Sequence, residues 1–321
     1  MSNNSLLSRN ASEETETEFE SLSLKSTRIL YILGVGISVA VNFALAKYSV
    51  MNGFSPLEVL VLPLLGSAII LLALLALKGE LKALKVQHLR YYIFAGLLGV
   101  SLPNLASNFA LQEVAASTFS VLITLSPLFT LLLSIPFQKA GLTFKRVMGI
   151  GIGFVAVLLV TISPDFKLKD DGGMLLLATS VPLFLAMGNI YRSKSYPVGA
   201  NPIALATGVL CIQVLIWLPI SLMVGGSSIY DAPQSSRLIL MLMAIISAFS
   251  YLLTFRLQQL TDGLGFSQVG NVVTVTGVGI GIFFFAEAFH YRLIVALALL
   301  FIGLAMTNQQ SKQVSKSNIT L

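Results

Sequence analysis

Ten apolar runs, each about as long as a membrane-spanning helix, dominate the sequence. A helix needs about 20 apolar residues to cross the hydrocarbon core of a bilayer, and 55% of the 321 residues are hydrophobic while only 11% are charged. The runs predict spans at residues 28–48, 57–77, 89–110, 115–137, 146–162, 173–191, 202–224, 237–254, 264–286 and 292–306. We therefore expect an all-α integral membrane protein with ten transmembrane helices.

Lysine and arginine are distributed unevenly among the polar segments between these runs. With the N-terminus in the cytoplasm, 15 of them fall in inner segments, Arg192 and Lys194 included, and 5 in outer segments. Cytoplasmic loops carry an excess of Lys and Arg, so we expect both termini in the cytoplasm. Residues 1–27 are polar and rich in Glu, which predicts a disordered cytoplasmic tail, and residues 307–321 form the tail at the other end.

The second half of the chain repeats the first at an offset of 147 residues. The aligned pairs include Phe119 with Phe266, Ser120 with Ser267, Asn42 with Asn189, Lys47 with Lys194, Asn104 with Tyr251 and Thr124 with Asn271. Five spans per half is an odd number, so the second half enters the membrane upside down. We expect two inverted five-helix repeats, at residues 28–162 and 173–306. In transporters built this way the substrate binds near the bilayer midplane between the repeats.

Patterns typical of enzymes, metal sites and nucleotide sites lack the required context. Cys211 is the only cysteine, and His88 and His290 have no ligand cluster at metal-binding spacing. The glycine-rich stretch at residues 149–154 lies inside an apolar run with no preceding strand, so it does not predict a dinucleotide site. The net charge of +6 is explained by the positive loops. We expect no enzyme chemistry, no cofactor, no metal and no nucleic-acid partner.

Polar side chains inside spans usually face the bundle interior or a water-filled cavity. The candidates for solute contacts lie on the third, fourth, eighth and ninth spans: Asn104, Ser120, Thr124, Ser247, Tyr251, Gln268, Asn271 and Thr274. We expect the solute between the polar stripes of the fourth and ninth spans. The alternative for each residue is a contact that only packs helices together.

Asn42, Asn189 and Glu287 are not assigned a main role in solute binding. For Asn42 and Asn189 the repetition favours a shared structural bond over a ligand contact. Glu287 borders the ninth span; proton coupling is one role, but a pair with Arg292 or a solvated loop charge is favoured. Because almost no charge falls inside the predicted spans, the sequence favours a neutral or zwitterionic solute over a polyanion.

Four stretches carry a resemblance to a known family. They are GLLGVSLPNLASNFAL at 96–111, AASTFSVLITLSPLFTLLLS at 115–134, FFFAEAFHYRLIVALALLFIGLA at 283–305 and NFALAKYSVMNGFSP at 42–56. In order and spacing they resemble the EamA-type family of the drug/metabolite transporter superfamily. The resemblance implies ten helices in two inverted five-helix repeats that move small organic solutes.

The chain also departs from that family's pattern. Lys139 and Ala140 stand where many members have a glycine–glutamate pair at the end of the fourth span, whereas the second half keeps its carboxylate as Glu287. Pro63 stands where many members have an arginine. Roles that depend on the missing side chains are not carried over.

Together these features predict a secondary transporter of small organic solutes that works by alternating access. A bacterial inner membrane is the location that the resemblance and the lack of organelle signals imply, and a eukaryotic internal membrane is the alternative. Amino acids or related metabolites as substrates, and export as the direction, follow from the resemblance alone. Two alternatives stay open at this point. One is a membrane scaffold or sensor without transport, and the other is a flippase for a lipid-linked intermediate. A polar path through Thr124 and Asn271 would favour a carrier, and a gap on the lipid side a flippase.

Overall fold

A computed structural model describes residues 2–137, 143–161, 172–224, 234–287 and 291–317. These residues are predominantly helical, because a helix satisfies its backbone hydrogen bonds internally where no water is present. The helices are α1 (Ser2–Met51), α2 (Pro56–Leu77), α3 (Leu89–Gly96), α4 (Leu102–Ala110), α5 (Ala116–Ile123), α6 (Leu125–Ser134), α7 (Phe144–Thr161), α8 (Gly172–Lys194), α9 (Pro202–Val224), α10 (Gln234–Leu260), α11 (Gly263–Ser267), α12 (Val269–Phe284) and α13 (Tyr291–Ser317).

Each predicted span falls on one of these helices or on a consecutive pair. Seven helical stretches within the described ranges are long and apolar enough to cross a membrane: Ser26–Met51, Pro56–Leu77, Val86–Ala110, Ala116–Ser134, Pro202–Val224, Gln234–Leu260 and Gly263–Phe284. Val147–Ala156 and Tyr291–Met306 are shorter apolar stretches, and α8 falls in neither group. Ten crossings arranged as two inverted repeats therefore stay a prediction.

The N-terminal segment differs from the sequence-based expectation. Residues 1–27 were expected to be disordered, whereas α1 is helical from Ser2 onward. A helix that continues from an existing one adds a hydrogen bond per residue without the cost of a new nucleus, which accounts for a helix in so polar a segment.

The start of α2 shows how local sequence fixes an element boundary. Ser55 is the N-cap: its side chain accepts a hydrogen bond from the Glu58 N–H at 3.2 Å, and Glu58 Oε2 accepts one from the Ser55 N–H at 2.9 Å. This reciprocal capping box satisfies two backbone donors, and Pro56 at the first helical position has no donor to satisfy. Glu58 is buried because it is used in this cap.

Three predicted spans are not continuous α-helices. A π-helical segment, Leu97–Ser101, joins α3 to α4. Thr124 separates α5 from α6 just before Pro127, whose ring nitrogen cannot donate to the preceding turn. Gln268 separates α11 from α12. The interrupted helices line the cavity described below, since broken helices at membrane depth occur where they face protein or water.

Helix packing relates the two halves of the chain. α2 packs on α9 and α7 on α13, and in each of these pairs the helices hold the same position in the two halves. α5 packs on α12, and these two helices belong to the fourth and ninth predicted spans. α1 packs on α10 and α12, while α8 packs on α4 and α6. Exchanging the two halves maps these contacts onto one another, which is the pattern expected around a pseudo-two-fold axis.

Candidate functional site

A cavity of about 110 Å³ lies between helices of both halves. It is lined by Val35, Val39, Asn42, Phe43, Gly99, Pro103, Asn104, Ile123, Ser126, Leu185, Asn189, Arg192, Ser247, Ser250, Tyr251, Thr254, Phe266, Ser267, Val269, Gly270 and Val273. We call it the central cavity. Its volume is below the 300–1,000 Å³ typical of sites for drug-sized ligands, so it suits a small solute.

The wall of the central cavity contains equivalent positions from the two halves. Pairs of lining residues that are related by the 147-residue offset are Asn42 with Asn189, Pro103 with Ser250, Asn104 with Tyr251, Ile123 with Gly270, and Ser126 with Val273. The cavity is therefore lined by both halves of the chain.

Three of the side chains singled out in the sequence come together at this cavity. Asn104 follows Pro103 on α4, and its amide donates to the Val100 carbonyl at 2.7 Å. Tyr251 on α10 lines the cavity together with Asn104. Ser247, one turn earlier on α10, donates to Asn42 Oδ1 at 3.4 Å. Asn104, Ser247 and Tyr251 thus form a polar wall.

Three other candidates lie in a closed seam between α5 and α12. Ser120, Thr124 and Thr274 are all buried, and Thr274 Oγ1 donates to the Ser120 carbonyl at 2.8 Å. The Thr124 hydroxyl donates to the Val121 carbonyl in its own helix. None of the three is among the cavity-lining residues, so their described contacts are those of helix packing.

Gln268 and Asn271 also lie away from the cavity wall. Asn271 Nδ2 donates to Gln268 Oε1 at 2.8 Å, and Asn271 Oδ1 is buried with no hydrogen-bond partner among the described residues. The polar stripes of α5 and α12 therefore pack together, while the cavity opens beside them against α1, α8 and α10.

Asn42 and Asn189 do not bond each other in the described contacts, although the sequence favoured a shared structural bond. Asn42 Nδ2 donates to the Ser38 carbonyl at 3.2 Å, and Asn189 Oδ1 accepts from Arg192 at 3.0 Å. Both asparagines line the cavity. Their repetition marks equivalent wall positions.

Arg192 is the main correction to the sequence-based reading, which placed it in a cytoplasmic loop. α8 continues to Lys194, and Arg192 is only 3% exposed and lines the cavity. Leu185, Asn189 and Arg192 follow a helical i, i+4, i+7 spacing and so share a face. That spacing is the sequence signal that places Arg192 on the inner face of α8. The residues after Tyr191 are polar and resemble a loop, so the sequence alone did not predict that the helix continues to Arg192.

The expectation that almost no charge is buried was therefore wrong. Lys47, Glu58 and Arg192 are all buried. Glu58 is used in the α2 cap and Lys47 has an acidic partner, described next. Arg192 has neutral neighbours in its two hydrogen bonds.

Lys47 and Glu287 join distant parts of the chain. Lys47 Nζ lies 3.2 Å from Glu287 Oε1 and also donates to the Val114 carbonyl at 3.1 Å. The two carboxylate oxygens of Glu287 accept from the N–H groups of Ala116 and Ser117, at 2.6 and 2.8 Å, at the start of α5. We call this group the Lys47–Glu287 latch. It replaces the expected pair with Arg292 or solvated loop charge.

The latch fixes the ionisation of Glu287. Burial by itself raises the pKa of this carboxyl, but hydrogen bonds from the Ser117 side chain and backbone, the Lys47 charge and the Ala116 N–H outweigh it, so the pKa lies below the ordinary value. Glu287 is therefore ionised near neutral pH.

Within the described ranges no three His, Cys, Asp or Glu side chains come together as they would around a metal ion. The polar groups of the central cavity are amides, hydroxyls and one guanidinium, which can form hydrogen bonds with a solute.

Comparisons with known proteins agree with this architecture. Residues 26–162 match the EamA-like transporter family. An uncharacterized transporter, YyaM, of Bacillus subtilis (strain 168) is 26% identical over 194 residues, which cover 58% of this chain and 63% of that protein. An uncharacterized transporter of Archaeoglobus fulgidus is 27% identical over 167 residues, covering 52% and 59%. The chain thus spans less than two thirds of the length of either relative.

One solved crystal structure, described only as that of a protein, supports the fold. It has a TM-score of 0.58 at 15% identity and covers 90% of this chain and 99% of its own. Residues 26–162, which nearly coincide with the first of the two predicted repeats, are similar to the EamA-like transporter family.

Proposed function

We propose that the chain is a secondary transporter that carries small organic solutes across a membrane by alternating access. The observation that carries the proposal is the central cavity, which lies where the two halves meet and takes equivalent wall residues from each. Two half-equivalent faces around one site can open in turn to the two sides of a membrane.

The relatives support a transport role in general terms. Both curated relatives are described as transporters, and the family matched by residues 26–162 is a transporter family. Ten crossings in two inverted repeats, a bacterial inner membrane with both termini in the cytoplasm, amino acids or related metabolites as cargo and export as direction belong to the same proposal. The solute would bind between α1, α4, α8 and α10.

A proteoliposome assay tests the proposal. The full chain is reconstituted, and uptake and efflux of a panel of amino acids and small carboxylic acids and amides are compared with empty vesicles. Ser247→Leu places an apolar side chain in the cavity wall. We expect it to slow transport at least about tenfold, equivalent to about 1.4 kcal/mol.

Thr274→Val is the matched control, because it removes a hydroxyl that lies in the α5–α12 seam and not in the cavity. We expect a modest loss of stability, about 1 kcal/mol for one hydrogen bond, and near wild-type transport. The reverse result, with Thr274→Val blocking transport and Ser247→Leu leaving it intact, would move the site to the seam. No flux of any solute through well-folded protein would contradict the carrier.

A further inference from the structure

Arg192 places a full positive charge in the cavity wall with neutral hydrogen-bond partners. Its Nε donates to the Gly188 carbonyl at 3.3 Å and its Nη2 to Asn189 Oδ1 at 3.0 Å. Among the described residues no carboxylate forms a salt bridge with it, and none of the residues that line the cavity is acidic.

Such an arrangement is costly for the protein alone. A buried ion without a counter-charge is strongly destabilising, and a guanidinium does not avoid this penalty by losing its proton. Long cationic side chains near the end of a spanning helix usually extend to water. Arg192 is two residues from the end of α8 at Lys194 and is nevertheless buried.

Neighbouring groups hold the guanidinium in position. A Cβ on Gly99 would lie 2.7 Å from Arg192 Cζ, so the guanidinium rests against a bare stretch of backbone in the π-helical segment. On another side the Phe266 ring centroid lies 5.3 Å from Cζ, a distance at which a cation is attracted to the ring face. The charge is thus fixed at the cavity wall before any solute arrives.

We propose that Arg192 binds the carboxylate of the solute that occupies the central cavity. This inference rests on the proposed function, whose cavity it uses. The planar guanidinium matches a carboxylate through two parallel N–H···O bonds, and one buried cation balances one negative charge. A phosphate group carries about 1.5–2 negative charges near neutral pH, and the described cavity wall offers no second cation.

The rest of the wall suits the remainder of such a solute. Asn104, Ser250, Tyr251 and Thr254 present neutral hydrogen-bonding groups, and Val35 and Val39 present apolar surface. No acidic side chain in the described wall meets an ammonium group. The carboxylate is therefore the recognition element and an amino group is dispensable, so the inference extends from amino acids to simple monocarboxylates, whereas the sequence favoured a neutral or zwitterionic solute.

Ligand-induced stabilisation of the purified full chain tests this assignment with defined probes. Melting temperatures are measured with propionate against propionamide, and with lactate against lactamide, with L-alanine as the zwitterionic case. A ligand that binds only the folded protein raises the melting temperature. We expect the carboxylates to bind at least about tenfold more tightly than their amides, as charge-assisted hydrogen bonds predict.

Three variants make the test specific. Arg192→Gln should abolish the preference for acid over amide. Arg192→Lys keeps the positive charge but lacks the planar guanidinium, so it should retain a weaker preference for acid over amide. This variant also tests the proposal if Arg192→Gln folds poorly. Arg256→Gln removes a positive charge from an exposed position on α10 and should bind as the wild type does.

Each outcome decides between the two proposals separately. Equal stabilisation by acids and amides, no stabilisation by any of the carboxylates, or an unchanged preference in Arg192→Gln would overturn the role of Arg192. Flux in proteoliposomes is measured independently. Carboxylate binding through Arg192 without flux would keep this site and refute transport, whereas flux that is indifferent to Arg192→Gln would keep transport and refute this site.

Discussion

Lys47 and Glu287 show how a charged residue is accommodated at the end of an apolar helix. Their side chains are 11% and 13% exposed, between the exposed and the fully buried case. An exposed pair contributes about 0–1 kcal/mol, and breaking a buried pair costs about 3–5 kcal/mol. We therefore place the loss on neutralising Glu287 at about 1–3 kcal/mol, since Lys47 would remain without its counter-charge.

The pH dependence of stability tests this residue. The pKa of Glu287 is below its ordinary value of 4.5 in the folded protein, so the carboxylate stabilises the fold fully above pH 4.5, and the contribution is lost as the pH falls through the lowered pKa. We expect Glu287→Gln to melt at a lower temperature than the wild type at neutral pH, and the difference to shrink in acid below pH 4.5.

Glu113→Gln is the matched control, because Glu113 is exposed in the turn that follows α4. Its melting temperature should follow that of the wild type across the pH range. A Glu287→Gln protein as stable as the wild type at neutral pH would show that the latch contributes nothing to stability.

At the scale of single elements, the approach of α8 to the π-helical segment determines where the cavity wall lies. A Cβ on Gly188 would lie 2.6 Å from Gly99 Cα, so the two backbones touch. Gln213 on α9 fills the space behind this segment, and its Oε1 accepts from the Ser101 hydroxyl at 2.7 Å. Its amide also lies 3.3 Å from the Ile93 carbonyl. The widened turn is thus supported by side chains from another helix.

Substituting Gly188 tests that contact. Gly188→Ala should destabilise the protein by about 1–3 kcal/mol, the usual cost of overpacking, and should weaken solute binding because α8 carries Arg192. Gly151→Ala on α7 is the control, since a Cβ there meets nothing within 4 Å and alanine is the better helix former by about 0.5–1 kcal/mol. Thermal melting of both variants measures the difference. Equal behaviour would contradict the close approach.

The sequence predicted elements better than it predicted the site. Apolar length locates the helices, because a buried backbone must bond internally, and each predicted span falls on a helix. The direction in which each helix face points is determined by packing between helices, which the sequence pattern does not show. Thr124 and Thr274 therefore face each other in the α5–α12 seam, while Tyr251 faces the cavity. Arg192 was misplaced because polarity alone does not show where a helix ends, and only α8's contacts bury its last turn.

At the scale of the whole molecule, symmetric packing is combined with an asymmetric latch. By the 147-residue offset Lys47 corresponds to Lys194, but Glu287 corresponds to Ala140. A symmetric protein would have a second Lys–Glu pair, formed by Lys194 and residue 140. Because residue 140 is alanine, that second carboxylate is missing from the sequence. In the proposed alternating-access carrier the latch would hold the α1–α2 end of the bundle closed, and a change of about 1–3 kcal/mol would alter the ratio of closed to open states by roughly 5–150-fold.

The accessibility of an introduced cysteine measures how strongly the latch favours the closed state. Cys211→Ser gives a cysteine-free background, into which Ser126→Cys introduces a reporter in the cavity wall. Adding Glu287→Gln should speed the reaction of this reporter cysteine with a membrane-impermeant maleimide. The effect is expected when the reagent is added on the side of the membrane where Asn52 lies, in the α1–α2 turn. Asn52→Cys, exposed in that turn, identifies the side. Unchanged labelling would show that the latch does not control access.

The buried Arg192 also has an electrical consequence. With the proposed monoanion bound, the site is neutral, whereas the empty site carries one positive charge. Moving one elementary charge through 100 mV is worth about 2.3 kcal/mol. A membrane potential should therefore change the rate at which the empty carrier returns across the membrane and leave the movement of the loaded carrier unchanged. Solute-for-solute exchange in vesicles should be indifferent to an imposed potential, net flux should respond to it, and Arg192→Gln should remove that response.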